Sequence, residues 1–230
     1  LQGRCKERTL RKIFISSKDI FLNNHNPIIY VFIIRIKMTI IVLKKRTYMT
    51  EIFKELIISF KDYRIKSYIH REINIPLKSS KIISIIGARR TGKTYLLFSV
   101  YDRLRQEIPD DRIVYINFED DRLFGLKITD LKYLISAYYE LFPDNRDKTV
   151  YFLFDEIQNV KNWELFIRRV YDTENCRIYL TGSSSKLLSK EISTSLRGRT
   201  ISYELFPYSF KEYLNSKKID IDIYSQKKIS

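Results

Sequence analysis

The residues with the clearest chemical potential form one segment, 87–94, which matches the pattern G-x-x-x-x-G-K-[ST] in full. We expect each of its members to lie against phosphate: Gly87, Ala88, Arg89, Arg90, Thr91, Gly92, Lys93 and Thr94. The two glycines permit a tight turn and a close approach of the backbone to phosphate oxygens. The Lys93 ammonium can reach the β- and γ-phosphates of a nucleotide, and the Thr94 hydroxyl can ligate Mg²⁺. Arg89 and Arg90 keep two interpretations open, since they can hold phosphate or else face solvent and pair with acids.

Two adjacent carboxylates, Asp155 and Glu156, end an apolar run and form the second candidate group. Asp155 can hold Mg²⁺ and accept a hydrogen bond from Thr94, while Glu156 can polarise an attacking water. Acidic turns are common by themselves, but downstream of a phosphate loop this pair favours hydrolysis over phosphoryl transfer to a second substrate. No Asn-Lys-x-Asp motif for guanine occurs, which favours ATP. The expected cofactors are therefore ATP and Mg²⁺, with Thr94 and Asp155 at the metal and Lys93 and Glu156 in catalysis.

Strands alternating with helices are expected to position these residues. Apolar runs predict strands at 81–86, 112–118, 149–154, 177–180 and 200–205. Amphipathic stretches predict helices at 51–60, 92–107, 129–141, 162–172, 185–190 and from 207 to 214. Strands that are separated by helices pair in parallel, with helices on both faces of the sheet. The expected fold class is thus α/β, a three-layer sandwich with a mainly parallel sheet.

The net charge of +15 raises the question of a nucleic-acid partner. Residues 1–50 hold eleven Lys or Arg and two acids, so they carry +9 and the rest of the chain +6. DNA is a possible partner that no motif supports. Two cysteines and two histidines lack metal-ligand spacing, and reduced thiols fit a cytoplasmic protein. No membrane association is expected, because Arg35 and Lys37 interrupt the apolar run 27–43.

The chain divides by pattern into four parts. Residues 1–48 are expected to be an N-terminal extension outside the native fold, with a native start at Met38 or Met49 as our hypothesis. Residues 49–80 are a lead-in helical segment, residues 81–206 the P-loop core, and residues 207–230 the start of a further C-terminal region.

The order of these motifs resembles that of prokaryotic AAA-domain ATPases, which are relatives of the signalling-type ATPases. The matching stretches are 82–94, 113–120 (IVYINFED), 151–160 (YFLFDEIQNV), 163–171, 179–185 (YLTGSSS), 196–199 (LRGR) and 204–213 (ELFPYSFKEY). The resemblance implies a P-loop NTPase of the AAA, additional-strand type, in which an inserted strand separates the P-loop strand from the acid-bearing strand. Such proteins usually continue into a C-terminal domain with a nuclease-like fold.

The resemblance also implies further site residues. The polar end of the fourth strand, Thr181, Gly182 and Ser183, would sense the γ-phosphate, or else Ser183 would belong to a Gly-Ser turn that caps the next helix. Arg197 or Arg199 would act as an arginine finger within the chain or from a neighbouring copy, or else form a turn before the last strand. Glu119 and Asp120 would face the nucleotide or be turn acids.

The resemblance implies a cytosolic ATPase whose nucleotide state drives a conformational change in a C-terminal domain beyond residue 230. The expected partners besides ATP are a second copy of the chain or another protein. A weakly hydrolysing switch or scaffold that acts on DNA or protein is the alternative. A small-molecule kinase is a third reading, against which Glu156 counts.

Overall fold

The computed structural model describes residues 27–182, 196 and 198–219, and it describes side chains from residue 31 onward. The helices are α1 (Pro27–Lys61), α2 (Lys93–Arg105), α3 (Lys132–Leu141), α4 (Trp163–Thr173) and α5 (Phe210–Ser216). The strands are β1 (Ile82–Ile86), β2 (Ile113–Asn117), β3 (Val150–Asp155), β4 (Cys176–Gly182) and β5 (Thr200–Glu204). The described chain divides into two units between Lys45 and Arg46, and every strand belongs to the second unit.

The five strands form one sheet in the order β2-β3-β4-β1-β5, and every pair is parallel. The five predicted strands and their parallel pairing are confirmed. β4 lies between β1 and β3, which confirms the inserted strand that the family resemblance implied. Because all strands run the same way, the loop after β1 and the carboxylates that end β3 lie at the same edge of the sheet.

Apolar side chains of successive strand residues enter two separate cores, one on each face of the sheet. In β3, for example, Phe152 and Phe154 contribute to one core, whereas Tyr151 and Leu153 contribute to the other. Helix α2 packs into the second core, and α3, α4 and the segment of α1 around Phe53 pack into the first. The strands therefore lie between two helical layers, which confirms the three-layer α/β architecture.

The helix bounds differ from the sequence prediction in three places. Helix α1 is longer than the predicted 51–60. Helix α3 begins at Lys132 because Ile128–Asp130 forms a separate 3₁₀ turn. Helix α5 begins at Phe210, where the Ser209 side chain caps the Glu212 N–H. The predicted helix 185–190 lies outside the described residues.

None of the described helices is both long enough and apolar enough to cross a membrane.

Candidate phosphate-binding site

The loop that joins β1 to α2 has a backbone that requires glycine at both ends. Gly87 has φ 155° and Gly92 has φ 93°, conformations that side-chain-bearing residues rarely adopt. A Cβ atom on Gly87 would lie 2.4 Å from the Leu205 carbonyl oxygen, and the Leu205 N–H bonds to the Ile86 carbonyl. The segment after β5 therefore packs directly on the start of the loop. Gly92 ends the loop as the N-cap of α2 and provides no side-chain cap, so the first N–H groups of the helix are available to an anion.

The side chain of Lys93 lies inside this loop. It is almost fully buried, and its Nζ donates to the Ala88 carbonyl over 2.9 Å. The Thr91 hydroxyl donates to the same carbonyl over 2.9 Å. This buried ammonium is a strong candidate to bind an anion, because the Ala88 carbonyl and the Glu156 carboxylate, 3.8 Å away, only partly compensate the loss of hydration.

Asp155 ends β3, directly before Glu156, and is buried among hydroxyl groups. Its carboxylate accepts hydrogen bonds from the Tyr115 hydroxyl over 2.9 Å and from the Thr181 hydroxyl. Burial raises the pKa of Asp155 above its usual value, while hydrogen bonds from Thr181, Thr94 and Tyr115 act in the opposite direction. The charge of Glu156 adds to the rise in pKa. A buried carboxylate of this kind gains stability from a nearby cation.

Glu156 follows in a left-handed backbone conformation, with φ 53°. Its N–H donates to the Thr181 hydroxyl over 2.9 Å, so Thr181 fixes both consecutive acidic residues. The Glu156 carboxylate lies 3.8 Å from Lys93 Nζ and accepts a hydrogen bond from Gln158 Nε2. Non-glycine residues in this conformation are uncommon and concentrate at functional sites.

The residues present fit a Mg²⁺ ion together with a polyphosphate. Thr94 and Asp155 share a hydrogen bond and offer the hydroxyl and carboxylate oxygens that Mg²⁺ prefers. Within the described part of the chain, no group of three or more His, Cys, Asp or Glu residues could hold a metal ion. A Mg²⁺ ion would therefore depend on phosphate and water oxygens to complete its coordination.

Other predicted site residues differ in where they lie. Arg89 and Arg90 are exposed in the loop, and a contact with phosphate stays a prediction for both. Asp120 caps a 3₁₀ turn and pairs with Arg122 at 2.7 Å, which corresponds to the turn interpretation. Ser183 and Arg197 lie outside the described residues.

Arg199 does not reach the loop. Its carbonyl bonds to the N–H of Ile82, at the end of β1 that is opposite to the loop, and its side chain pairs with Asp172 at 3.1 Å. Five residue steps separate Ile82 from Gly87, a distance of roughly 16 Å along the strand. Arg199 therefore does not fit the role of an arginine finger for the phosphate loop of its own chain, because its backbone lies at the edge of the sheet opposite to that loop. Action from a neighbouring copy stays a prediction.

Three residues of the site have no counterpart in the sequence prediction: Tyr115, Gln158 and Arg71. Tyr115 is one of many tyrosines in apolar runs, so its bond to Asp155 has no local signal. Gln158 lies two residues after Glu156, and this proximity in sequence could have indicated a contact between the two side chains. Arg71 donates to the Thr91 carbonyl over 2.8 Å from a segment outside every motif.

The comparison with protein families agrees with this geometry. The model of the AAA domain family matches residues 79–214, which include the loop, both carboxylates and every strand. An uncharacterized protein of Methanocaldococcus jannaschii is 42% identical over 171 residues, or 74% of this chain and 36% of that protein. An uncharacterized protein of Haemophilus influenzae is 38% identical over 149 residues, or 64% of this chain and 36% of that protein. The match thus covers only about a third of the length of these relatives.

Two solved structures are more distant. The structure of C. elegans PCH-2 is 19% identical, with a TM-score of 0.36 over 80% of this chain and 50% of that chain. The structure of Rhizobiales Trip13 is 18% identical, with a TM-score of 0.31 over 69% of this chain and 60% of that chain. The family match alone covers more than half of the residues, and the protein therefore belongs to the AAA domain family of nucleotide-binding proteins.

Proposed function

We propose that this chain binds ATP with Mg²⁺ at residues 87–94 and Asp155, and that it hydrolyses the bound ATP with Glu156 as the water-activating carboxylate. The observation that carries the proposal is the meeting of Lys93 and Glu156 at 3.8 Å, with Asp155 and Thr94 bonded beside them. Family membership supports nucleotide binding, and the absence of a guanine motif in the sequence supports ATP.

Each residue would have a distinct role. Lys93 would exchange the Ala88 carbonyl for phosphate oxygens, and the N–H groups at the start of α2 would donate to them. Thr94 and Asp155 would hold the metal ion, which supplies charge neutralisation at the phosphates when it is bound. Glu156 would leave Lys93 and accept a hydrogen bond from the attacking water. The Thr181 hydroxyl would hold Asp155 through its carboxylate and Glu156 through its backbone N–H, and so fix the positions of both residues.

A nucleotide-dependent switch with slow hydrolysis is the second candidate, and one observation favours it. The Glu156 carboxylate is already engaged by Lys93 and by Gln158, so activation of water requires these contacts to break. Such a switch would act on a protein or nucleic-acid partner. In either case Arg199 would assist only from a neighbouring copy, which ties that role to self-association.

Substitution of the two central residues tests the proposal. In Lys93→Ala, we expect ATP affinity to fall at least about 100-fold, because a buried charge–phosphate contact is lost. In Glu156→Gln, we expect binding to persist and phosphate release to slow about 100-fold or more. Isothermal titration and single-turnover phosphate release measure these effects, and Lys148→Ala, a remote lysine that bonds Asn145, serves as the control.

The outcomes separate the candidates. Equal phosphate release by the unaltered protein and Glu156→Gln would contradict the catalytic role of Glu156. Release that is equally slow in both, with tight ATP binding, would identify the slow switch. Unchanged ATP affinity in Lys93→Ala would contradict the binding site itself.

A further inference from the structure

The side chain of Arg71 connects three parts of the chain at one buried point. Arg71 belongs to the segment that precedes β1, and its side chain contacts the phosphate loop and the residues that follow β5. Its Nη1 donates to the Thr91 carbonyl over 2.8 Å, its Nη2 to the Phe206 carbonyl over 2.7 Å, and its Nε to Glu212 over 2.9 Å. The side chains of Arg71 and Glu212 are only 7% and 5% exposed. Water therefore has little access to this ion pair.

The planar guanidinium makes these three bonds mutually dependent. Its donors lie in one rigid fork, so the direction of one bond sets the directions of the others. The guanidinium also lies over the Tyr208 ring, 4.9 Å from its centroid. Movement of the segment 206–212 would therefore displace the Thr91 carbonyl or break its bond to Arg71.

The Glu212 carboxylate is shared between Arg71 and the start of helix α5. It accepts the N–H of Glu72 over 2.8 Å and that of Ser209 over 2.9 Å, the second bond being part of a capping box. Burial by itself raises the pKa of Glu212, but the bonds from Arg71 and from the two N–H groups outweigh it and hold the pKa below its usual value. The cap of α5 and the contact to the loop thus depend on one charge.

The Thr91 carbonyl matters because it belongs to the peptide that ends the loop. A trans peptide is planar, so fixing this carbonyl points the Gly92 N–H in the opposite direction. That N–H is one of the loop amides, and Gly92 is the N-cap of α2. Arg71 Nη1 is 3.7 Å from where a Cβ of Gly92 would lie, which shows how closely the guanidinium packs on this turn.

We propose that Arg71 is a positioning residue for the phosphate loop, and that its ion pair with Glu212 couples this loop to the segment 205–219. The coupling acts on the nucleotide of the proposed function and rests on that function for its ligand. Because coupling between two sites is reciprocal, nucleotide binding stabilises the arrangement of α5 to the same extent that α5 favours nucleotide binding. The state of the loop is thereby transmitted to the residues after β5.

Two conservative substitutions test the coupling. Arg71→Lys keeps the charge but loses the fork, and Glu212→Gln keeps the shape but loses the charge. We expect ADP with Mg²⁺ to bind about tenfold more weakly to each, from the loss of one charge-assisted contact. In the nucleotide-free protein, amide hydrogen exchange should be faster across residues 87–95. The control is Arg112→Lys, which disturbs another arginine that binds a backbone carbonyl, that of Thr149, away from the loop.

The results have clear meanings. Arg112→Lys should lower the melting temperature without a change in ADP affinity or loop exchange. Unchanged affinity and unchanged loop exchange in folded Glu212→Gln would overturn the coupling, and this variant decides alone if Arg71→Lys does not fold. If the unaltered protein binds no ADP, the proposed function fails, whereas the exchange comparison still tests the coupling.

Discussion

At the scale of single residues, the site depends on how Asp155 is stabilised before any cation arrives. The carboxylate is buried, and three hydroxyl groups compensate for lost hydration. Thr181 is bonded to both Asp155 and the Glu156 N–H, so β4 aligns the two acids although it contributes no charge. This explains why the strand inserted between β1 and β3 matters for chemistry as well as for packing.

The raised pKa of Asp155 leads to a pH dependence. The folded chain keeps a proton on Asp155 up to a higher pH than the unfolded chain, so stability without nucleotide falls as pH rises through that interval. Mg²⁺ needs the ionised form, and its enhancement of ADP affinity should disappear as pH falls through the folded pKa. Tyr115→Phe removes a bond that lowers this pKa, so the loss of the enhancement should move to higher pH.

Titration of ADP affinity with and without Mg²⁺ across pH measures this midpoint. Tyr138→Phe is the matched control, since its buried hydroxyl donates to the Asp111 carbonyl, far along the chain from the site. A midpoint that shifts to lower pH, or that shifts equally in both variants, would contradict the role assigned to Tyr115.

At the scale of elements, the join between β1 and α2 leaves no room for a side chain. Gly87→Ala should destabilise the fold because the new Cβ meets the Leu205 carbonyl and the backbone disfavours any side chain. Gly125→Ala is the control, with positive φ but open space around it. We expect Gly125→Ala to cost about 1 kcal/mol and Gly87→Ala to cost about 2–3 kcal/mol more. Urea unfolding measures the free energy of unfolding of both variants. Equal losses would show that the contact between the new Cβ and the Leu205 carbonyl is relieved without a loss of stability.

The elements were predictable where burial leaves a mark in the local sequence. β3 is buried at every residue and is apolar up to Asp155, and β1 is buried at every residue and is apolar except at Ser84. Helix α4 shows its buried face through Trp163, Phe166, Ile167 and Val170 at helical spacing. The length of α1 was missed because nearly all of its residues between 31 and 48 are exposed, so they have no buried face that a periodic pattern could reveal.

The site was predictable only in part, for a related reason. The phosphate loop and the acidic pair are contiguous motifs that can be recognised without the fold. Arg71 and Glu212 are 141 residues apart, and Tyr115 and Asp155 are 40 apart. Such pairs form only when the fold brings distant segments together, so no spacing in the local sequence indicates them. Arg199 is different, because it directly precedes the predicted strand 200–205 and parallel pairing therefore already indicated the edge of the sheet opposite to the phosphate loop.

At the scale of the whole molecule, net positive charge is densest in the part of the chain that precedes the sheet and the phosphate loop. Residues 1–45 hold ten Lys or Arg and two acids, a charge of +8, so the rest carries 15 − 8 = +7. The unit that begins at Arg46 contains the sheet and the phosphate loop. Just over half of the basic excess that suggested a nucleic-acid partner therefore lies in the first 45 residues, outside the unit that would bind nucleotide.

This division predicts that the protein shortened to begin at Arg46 keeps its fold and its ADP affinity. The first residues of α1 that enter a core are Met49, Ile52 and Phe53, all beyond the cut. Removal of residues 1–45 should leave the melting temperature within a few degrees of the unaltered value, whereas Phe53→Ala should cost about 3–5 kcal/mol by opening a cavity. Thermal unfolding and ADP titration measure both. A large loss of stability on shortening, comparable to that of Phe53→Ala, would mean that residues before Arg46 support the core.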